Sequence, residues 1–407
     1  MKILILCGVF ATENENEIIQ HAKRPVEFSA NIFQKKLIRG FAEGGFDSKV
    51  ISAPFIGSYP NASDLRVFSG FENTQSEYEY EYVNFNNIWG IRNFSRAASL
   101  KQKIKQFIEI EDSQKLIVVY SPHTPFLEAA TYAKKRDSRI KICLVVPDLP
   151  QYMNLDSNIS MIYKLGKYFD INKFNKLNRY VDSYVLLTEA MREKIDISNK
   201  PYCVAEGIID IEVFEKNEKS KQLLSPKNGE RYIVYTGKMN EKFGVKKLVD
   251  SFCNMKDSSY RLVMCGCGDA EDYIKNKSRV DTRIITTGQI TPDEAAEWML
   301  KADVLVNPRE NNEEYTKYSF PSKTIEYLST GNPTVGYILD GMPKVYNEFI
   351  YNAEEFGLSG AIERAVNANE AEKAQRYLCV KEYMKKLSAQ SLASRIKELN
   401  FNRETLQ

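Results

Sequence analysis

Short, nearly apolar runs recur along this chain, and each gives way to a segment whose apolar positions return every three or four residues. Leu116 to Tyr120, Lys141 to Val146, Tyr232 to Thr236 and Tyr260 to Cys265 are the clearest of the runs. A run of that length without alternation fits a strand covered on both faces, and strands that alternate with helices pair in parallel. The pattern therefore predicts an α/β fold. It begins at once, with a strand over residues 3–7, a loop from Gly8, a helix carrying Phe33, Leu37 and Phe41, and a strand from Lys49 to Ala53. Residues 54–98 are rich in Asn, Ser, Tyr and Glu and show no order. The alternation resumes with a basic helix from Leu100 to Ile108. Helices at Phe126 to Lys135 and Ile159 to Tyr180 then alternate with the strands, and further strands fall at Ser183 to Leu187 and Tyr202 to Ala205.

At 407 residues the chain is too long for one comfortable core, so more than one domain is expected. Residues 212–230 are dense in charge and broken by Pro226 and Gly229, a linker signature. A second and more regular α/β pattern follows, with strands at Arg283 to Thr286, Val304 to Val306 and Thr334 to Tyr337. Loops that follow strands are where such sheets place ligands, so a ligand is expected in a cleft between the two sets of strand ends.

Composition excludes several classes. A net charge of +2 gives no reason to expect a nucleic acid partner. The seven cysteines are odd in number and form no C-x-x-C pair, which argues for a reducing compartment and against a zinc site. No D-x-D occurs, so a metal-bridged diphosphate of that type has no support. The first apolar run is too short for a signal core, and no run reaches the roughly 18 residues of a membrane span. A cytoplasmic location is expected.

Certain stretches bear on chemistry. Tyr318 to Pro333, Y-S-F-P-S-K-T-I-E-Y-L-S-T-G-N-P, reads as a helix with Ser319 as N-cap, Pro321 in the first turn and Gly331 at the left-handed end. Ser319, Ser322 and Glu326 then share a face. Such a face suits a phosphate at the helix start and a ribose at Glu326, or it is an ordinary amphipathic helix with its acid in water. Gly237 to Gly244 follows a strand and carries Lys238 and Lys242, which suits a diphosphate or is a solvated loop. It lacks the G-K-[ST] ending of a P-loop. Gly266-Cys267-Gly268-Asp269 is best read as a tight turn, because Glu271 stands where a dinucleotide fingerprint needs its third glycine. His123 and Asp148 sit in proline-flanked loops at strand ends, as presented side chains or as plain turn residues. Residues 158–180 carry Lys164, Lys167, Lys173, Lys176 and Arg179 among aromatic residues, either facing an anionic membrane or forming a solvated face.

Together these pieces resemble the family 4 glycosyltransferases of the GT-B fold. The resemblance rests on G-K-M-N-E-K-F-G-V, A-D-V-L-V-N-P-R, F-P-S-K-T-I-E-Y-L-S-T-G-N-P and E-G-I-I-D-I-E-V-F, and it covers most of residues 180–345. It implies two Rossmann-like, doubly wound parallel-sheet domains facing a cleft. The N-terminal acceptor domain would span 1–211 with a returning helix over 385–407, the linker 212–230, and the nucleotide-sugar donor domain 231–384.

The resemblance further implies a retaining hexosyltransferase that needs no metal and no cofactor. Its donor would be a UDP- or GDP-linked sugar and its acceptor a saccharide or lipid carrier. Such enzymes serve cell-surface polysaccharide synthesis, in the cytoplasm or peripherally on the inner membrane face. Carried over by position, the donor would meet Gly8, Gly237, Lys238, Lys242, Glu326 and the Ser319-Phe320-Pro321-Ser322-Lys323 stretch, and His123 and Asp148 would be catalytic. Tyr318 stands where the family often has a glutamate. An epimerase or phosphorylase of the same fold, or a non-catalytic subunit, is the alternative.

Overall fold

The computed structural model describes the chain except residues 12–13, 25, 27, 71, 74–77, 79, 113, 151–160, 223–228 and 402–407. It divides into two units, the first comprising Met1–Ile208 with the chain from Leu387, the second Ile209–Lys386.

In the first unit the strands are β1 (Lys2–Cys7), β2 (Asp47–Ser52), β3 (Val67–Phe68), β4 (Glu72–Asn73), β5 (Tyr80–Tyr82), β6 (Phe85–Asn86), β7 (Lys115–Tyr120), β8 (Ile140–Val146), β9 (Ser183–Leu186) and β10 (Tyr202–Val204). Eight of them form one sheet in the order β10-β9-β8-β7-β1-β2-β5-β4, parallel except for the β4–β5 pair. β7 is buried along its whole length, which is why its sequence is an unbroken apolar run. Its first residue is the one exception in kind. Lys115 is fully buried and is held by Asp137 at 2.9 Å and by the Ile108 carbonyl at 2.7 Å. The helix Ala389–Phe401 packs on the helix Phe28–Glu43, so close that a Cβ on Gly40 would strike the Ala389 carbonyl.

The second unit holds β11 (Arg231–Thr236), β12 (Tyr260–Cys265), β13 (Ile284–Gly288), β14 (Val304–Asn307), β15 (Thr334–Gly336) and β16 (Ile350–Asn352), all parallel, in the order β13-β12-β11-β14-β15-β16. Two doubly wound α/β units are the expected fold class.

Several local expectations are corrected. The helix expected from Ser319 begins at Ser322, after a 3-10 turn at Glu314–Tyr318. Ser319 is extended (φ −134°, ψ 146°), and Pro321 takes the N-cap position with no side-chain cap. Pro321 accounts for the late start, because it pushes Phe320, the residue before it, out of the helical region. Phe320 is instead buried against Tyr346, with ring centroids 5.2 Å apart. The far end is as expected, with Gly331 left-handed at φ +71°.

The stretch read as a linker opens with a helix, Glu212–Gln222, that belongs to the second unit. Phe214 is buried, Asn217 donates to the Ser329 carbonyl at 3.0 Å, and Glu218 accepts from Tyr377 and Lys381. Its charge density is the outer face of a docked helix. The basic helix begins at Arg92, not Leu100. The helix Met161–Asn178 holds most of the basic segment, of which 158–160 lie outside the described residues. Among the described residues no helix is long and apolar enough to cross a membrane.

Candidate functional site

In the second sheet the strand order reverses beside β11, between β14 on one side and β12 on the other. The crevice beyond the carboxyl ends of strands at such a reversal is where open α/β sheets bind ligands. Gly237 follows β11 directly and has φ +136°, and a Cβ there would collide with Lys323 Nζ. Only glycine lets the lysine cross that turn. The Gly-Cys-Gly segment packs beneath the same loop. A Cβ on Gly266 would strike the Gly237 carbonyl, and Met239 N–H donates to the Cys267 carbonyl at 2.8 Å. It is the tight turn that its residues suggested.

The helix Ser322–Ser329 is pinned across this reversal. Tyr327 Oη accepts from the Thr236 N–H at 3.0 Å and donates to the Thr236 carbonyl at 3.2 Å. Asn307, at the end of β14, donates to Thr324 Oγ1 at 3.1 Å. Among the described residues no side chain caps the helix, so its first-turn N–H groups are without a side-chain acceptor.

Lys323 is half-buried, and desolvation holds its ammonium below the ordinary lysine value, partly offset by Glu326. Among the described residues it makes no hydrogen bond or ion pair. Arg309, two residues past β14, donates from Nη2 to Ser319 Oγ at 3.0 Å and lies over the Tyr315 ring, 5.0 Å from its centroid. Its Nε is buried with no partner. Lys323 at the glycine turn and Arg309 beside the uncapped helix start are both incompletely satisfied among the described residues, and their charge suits a doubly charged oxyanion.

Of the expected donor residues, Lys323 is brought over Gly237, and Ser319 is held by Arg309. Lys238 and Lys242 are exposed on the adjoining loop, with the Lys238 carbonyl bonded to Tyr235 Oη at 2.7 Å and Lys242 Nζ 5.4 Å from the Phe243 centroid. Ser322 and Glu326 are exposed on the helix, while Phe320 and Pro321 are buried as packing residues. Tyr318 is also buried. Arg309 escaped the sequence reading although it ends the quoted A-D-V-L-V-N-P-R, and its place at a strand end was the available signal.

The first sheet reverses at β1, flanked by β2 and β7. Gly8 lies at this point under the Phe55 ring, its N–H donating to Gln34 Oε1 at 2.7 Å and its carbonyl accepting from Phe55 N–H at 2.9 Å. After β7, Ser121 is left-handed at φ +69°, a strained conformation of the kind that gathers at functional sites. His123 follows as N-cap of the helix Thr124–Arg136. Its ring meets the Phe55 and Phe126 edges, and Arg96 Nη1 lies 3.4 Å from its Nε2. Desolvation, then Arg96, Arg92 and Lys173, hold the imidazole well below its ordinary value, so it is neutral. Asp148 is exposed past the end of β8. Among the described residues, no three His, Cys, Asp or Glu side chains converge as metal ligands.

Residues 230–367 match the family model described as "Glycosyl transferases group 1". The chain is 20% identical over 292 residues to the putative teichuronic acid biosynthesis glycosyltransferase TuaH of Bacillus subtilis (strain 168), covering 65% of this chain and 71% of that one. Among solved structures it is similar to Anabaena HepE in complex with UDP, at a TM-score of 0.60 and 13% identity over 98% of this chain and 99% of the other. It is likewise similar to the lipopolysaccharide outer core galactosyltransferase WaaB, at a TM-score of 0.58 and 13% identity over 99% and 100%. The fold is therefore GT-B, and the family match lies within the second unit.

Proposed function

We propose that this GT-B chain is a retaining, metal-independent glycosyltransferase of the family 4 type. It moves a hexose from a UDP- or GDP-linked sugar to a saccharide or lipid-linked acceptor in cell-surface polysaccharide synthesis. The observation that carries the reading is Lys323, an amine with no hydrogen bond or ion pair among the described residues, laid over the Gly237 turn at the sheet reversal, with Arg309 beside the same helix start. A putative teichuronic acid biosynthesis glycosyltransferase, a lipopolysaccharide outer core galactosyltransferase and a protein in complex with UDP are the relatives named above, which supports the same class of donor and acceptor.

In this reading the donor diphosphate lies across the Gly237 loop and the start of the helix Ser322–Ser329. Lys323, Arg309, Lys238 and Lys242 meet the negative charge that grows as the diphosphate departs. Glu326, exposed on the same helix, accepts hydrogen bonds from the ribose. An oxocarbenium-like centre remains, and the acceptor hydroxyl attacks from the face the diphosphate has left, giving its proton to the leaving phosphate. His123 and Asp148 are the proposed catalytic residues. Glu326→Ala and Lys242→Ala are each expected to abolish turnover of a nucleotide-sugar panel while keeping the wild-type melting temperature. A fully active double variant sinks the assignment.

The acceptor half of the proposal includes a peripheral membrane contact. Leu165, Tyr168 and Phe169 are exposed on the basic helix Met161–Asn178, and Phe94, 70% exposed, joins them with Lys173 Nζ 5.5 Å from its ring centroid. Aromatic residues among lysines suit an anionic lipid surface. Salt-sensitive sedimentation with anionic liposomes tests this contact, and an equal distribution with and without liposomes refutes it.

A further inference from the structure

Arg96 is 1% exposed in the first unit, yet among the described residues no carboxylate pairs with it. Its Nη2 donates to the Pro54 carbonyl at 2.6 Å, its plane lies over the Phe85 ring at 4.3 Å, and its Nη1 faces His123 Nε2 at 3.4 Å. Burying an unpaired charge costs several kcal/mol in general, so a fold that keeps one calls for a reason. We propose that Arg96 is a positioning residue that holds His123 in the tautomer with its proton on Nδ1, so that His123 acts in the transfer as a fixed N–H donor and not as a base.

A guanidinium has donors only and keeps its charge even when burial lowers its pKa. The Nε2 atom that faces it must therefore present a lone pair, and the proton sits on Nδ1. Ring reversal is blocked on two sides, because the Phe55 and Phe126 rings meet the imidazole at 77° and 69° with centroids 5.5 and 5.0 Å away. The backbone is fixed as well. The His123 N–H donates to the Ser121 carbonyl at 2.7 Å, and the His123 carbonyl accepts from Phe126 and Leu127.

The charged groups around the ring agree with this assignment. Arg92 and Arg96 face it from one helix. The helix Met161–Asn178 brings Lys173, which is paired with Glu128 of the helix Thr124–Arg136, and Asp170, which accepts from Thr124 Oγ1 at 2.6 Å. None of these acids hydrogen-bonds to His123, and among the described residues Nδ1 has no partner. A general base must turn a lone pair toward the proton it takes, and the Nε2 lone pair is turned inward onto Arg96. What His123 has left to offer is its Nδ1 N–H, suited to a hydroxyl or anionic oxygen of a bound saccharide. The tautomer stands independently of the glycosyltransferase reading, whereas its use in transfer rests on that reading.

The chain has two histidines, so long-range 15N imidazole spectra with His21→Gln as the assignment variant read the state directly. The wild-type protein should show His123 protonated on Nδ1 and unchanged between about pH 5 and 8. Arg96→Met should release it, giving the Nε2–H form and a titration in that range, while Arg96→Lys, which keeps a donor there, should retain the wild-type pattern. A wild-type His123 protonated on Nε2, or titrating between those limits, overturns the lock whether or not Arg96→Met folds. Because no substrate is present, that failure is distinct from failure of the glycosyltransferase reading, which appears as no turnover by the wild type. For the transfer step, Arg96→Met should lower kcat about tenfold or more, with donor KM within about twofold and a new acid limb in the pH profile. An unchanged kcat and profile removes the catalytic half.

Discussion

Replacing Lys323 with methionine separates the fold's interest from the site's. The Lys323 amine is largely withdrawn from water and makes no hydrogen bond among the described residues, and Glu326 offsets its desolvation only in part. Leaving a buried polar group unsatisfied costs about 1–3 kcal/mol, and methionine fills a similar stem without the amine. Lys323→Met should therefore stabilise the second unit by about 1 kcal/mol, a rise in Tm of about 2–4 °C for a unit of that size.

The sign of the pH dependence follows from the depressed pKa. The native lysine binds fewer protons than the unfolded one in the window just below the ordinary value of 10.5, so wild-type stability rises with pH there. The advantage of the methionine variant shrinks accordingly. Binding should move the other way. A charge-assisted hydrogen bond to a diphosphate is worth about 1.5–3 kcal/mol, so the variant should bind UDP or GDP about 10- to 100-fold more weakly. Calorimetric titration with the two nucleotides and thermal unfolding across pH give both quantities. A variant that is less stable than wild type and binds nucleotide equally well would show that Lys323 serves packing, and the reasoning would fail.

Further predictions concern single positions. Gly237→Ala places a Cβ against Lys323 at φ +136°; it should cost about 1–3 kcal/mol by urea unfolding and weaken nucleotide binding as Lys323→Met does. Asp137→Ala strands the fully buried Lys115, and urea titration of the variant should show a loss of about 3–5 kcal/mol. Asp137 itself is held well below the usual carboxylate range, mainly by Arg139, so the stability it contributes is present at neutral pH and is lost only as the solution becomes strongly acidic. His123 stays neutral in the native state while the unfolded chain protonates at about pH 6.5, so stability should fall below that pH by up to about 1.4 kcal/mol per unit. His123→Phe should flatten the slope by about one proton.

The alternation of strands and helices was legible because strands buried on both faces, such as β7, leave an unbroken apolar run. Residues 54–98 were not, because β3 to β6 are two or three residues long and exist only through pairing with partners in the folded unit. The helix before Gly331 was read correctly as an element and wrongly at its start, since Ser319 looked like a cap while Pro321 forbade one. Residues 212–222 misled in the opposite direction. Their apolar anchor is essentially Phe214 alone, too little to announce a docked helix against so many charges. The Gly237 loop was recognisable from its glycine and its position after a strand, but the cation that crosses it is Lys323, which only the path of the chain reveals. Arg96 is the extreme case. Nothing in R-N-F-S-R-A-A-S marks which arginine is buried, because Phe85, Pro54 and His123 reach it from distant segments.

The most direct test is release of nucleoside diphosphate from a panel of UDP- and GDP-sugars, measured in EDTA for the wild type and for Lys323→Met. The account predicts turnover of at least one donor by the wild type, undiminished by the chelator, and a loss of about tenfold or more in the variant. Turnover that requires added metal, or that is equal in the two proteins, would contradict the proposed diphosphate cradle.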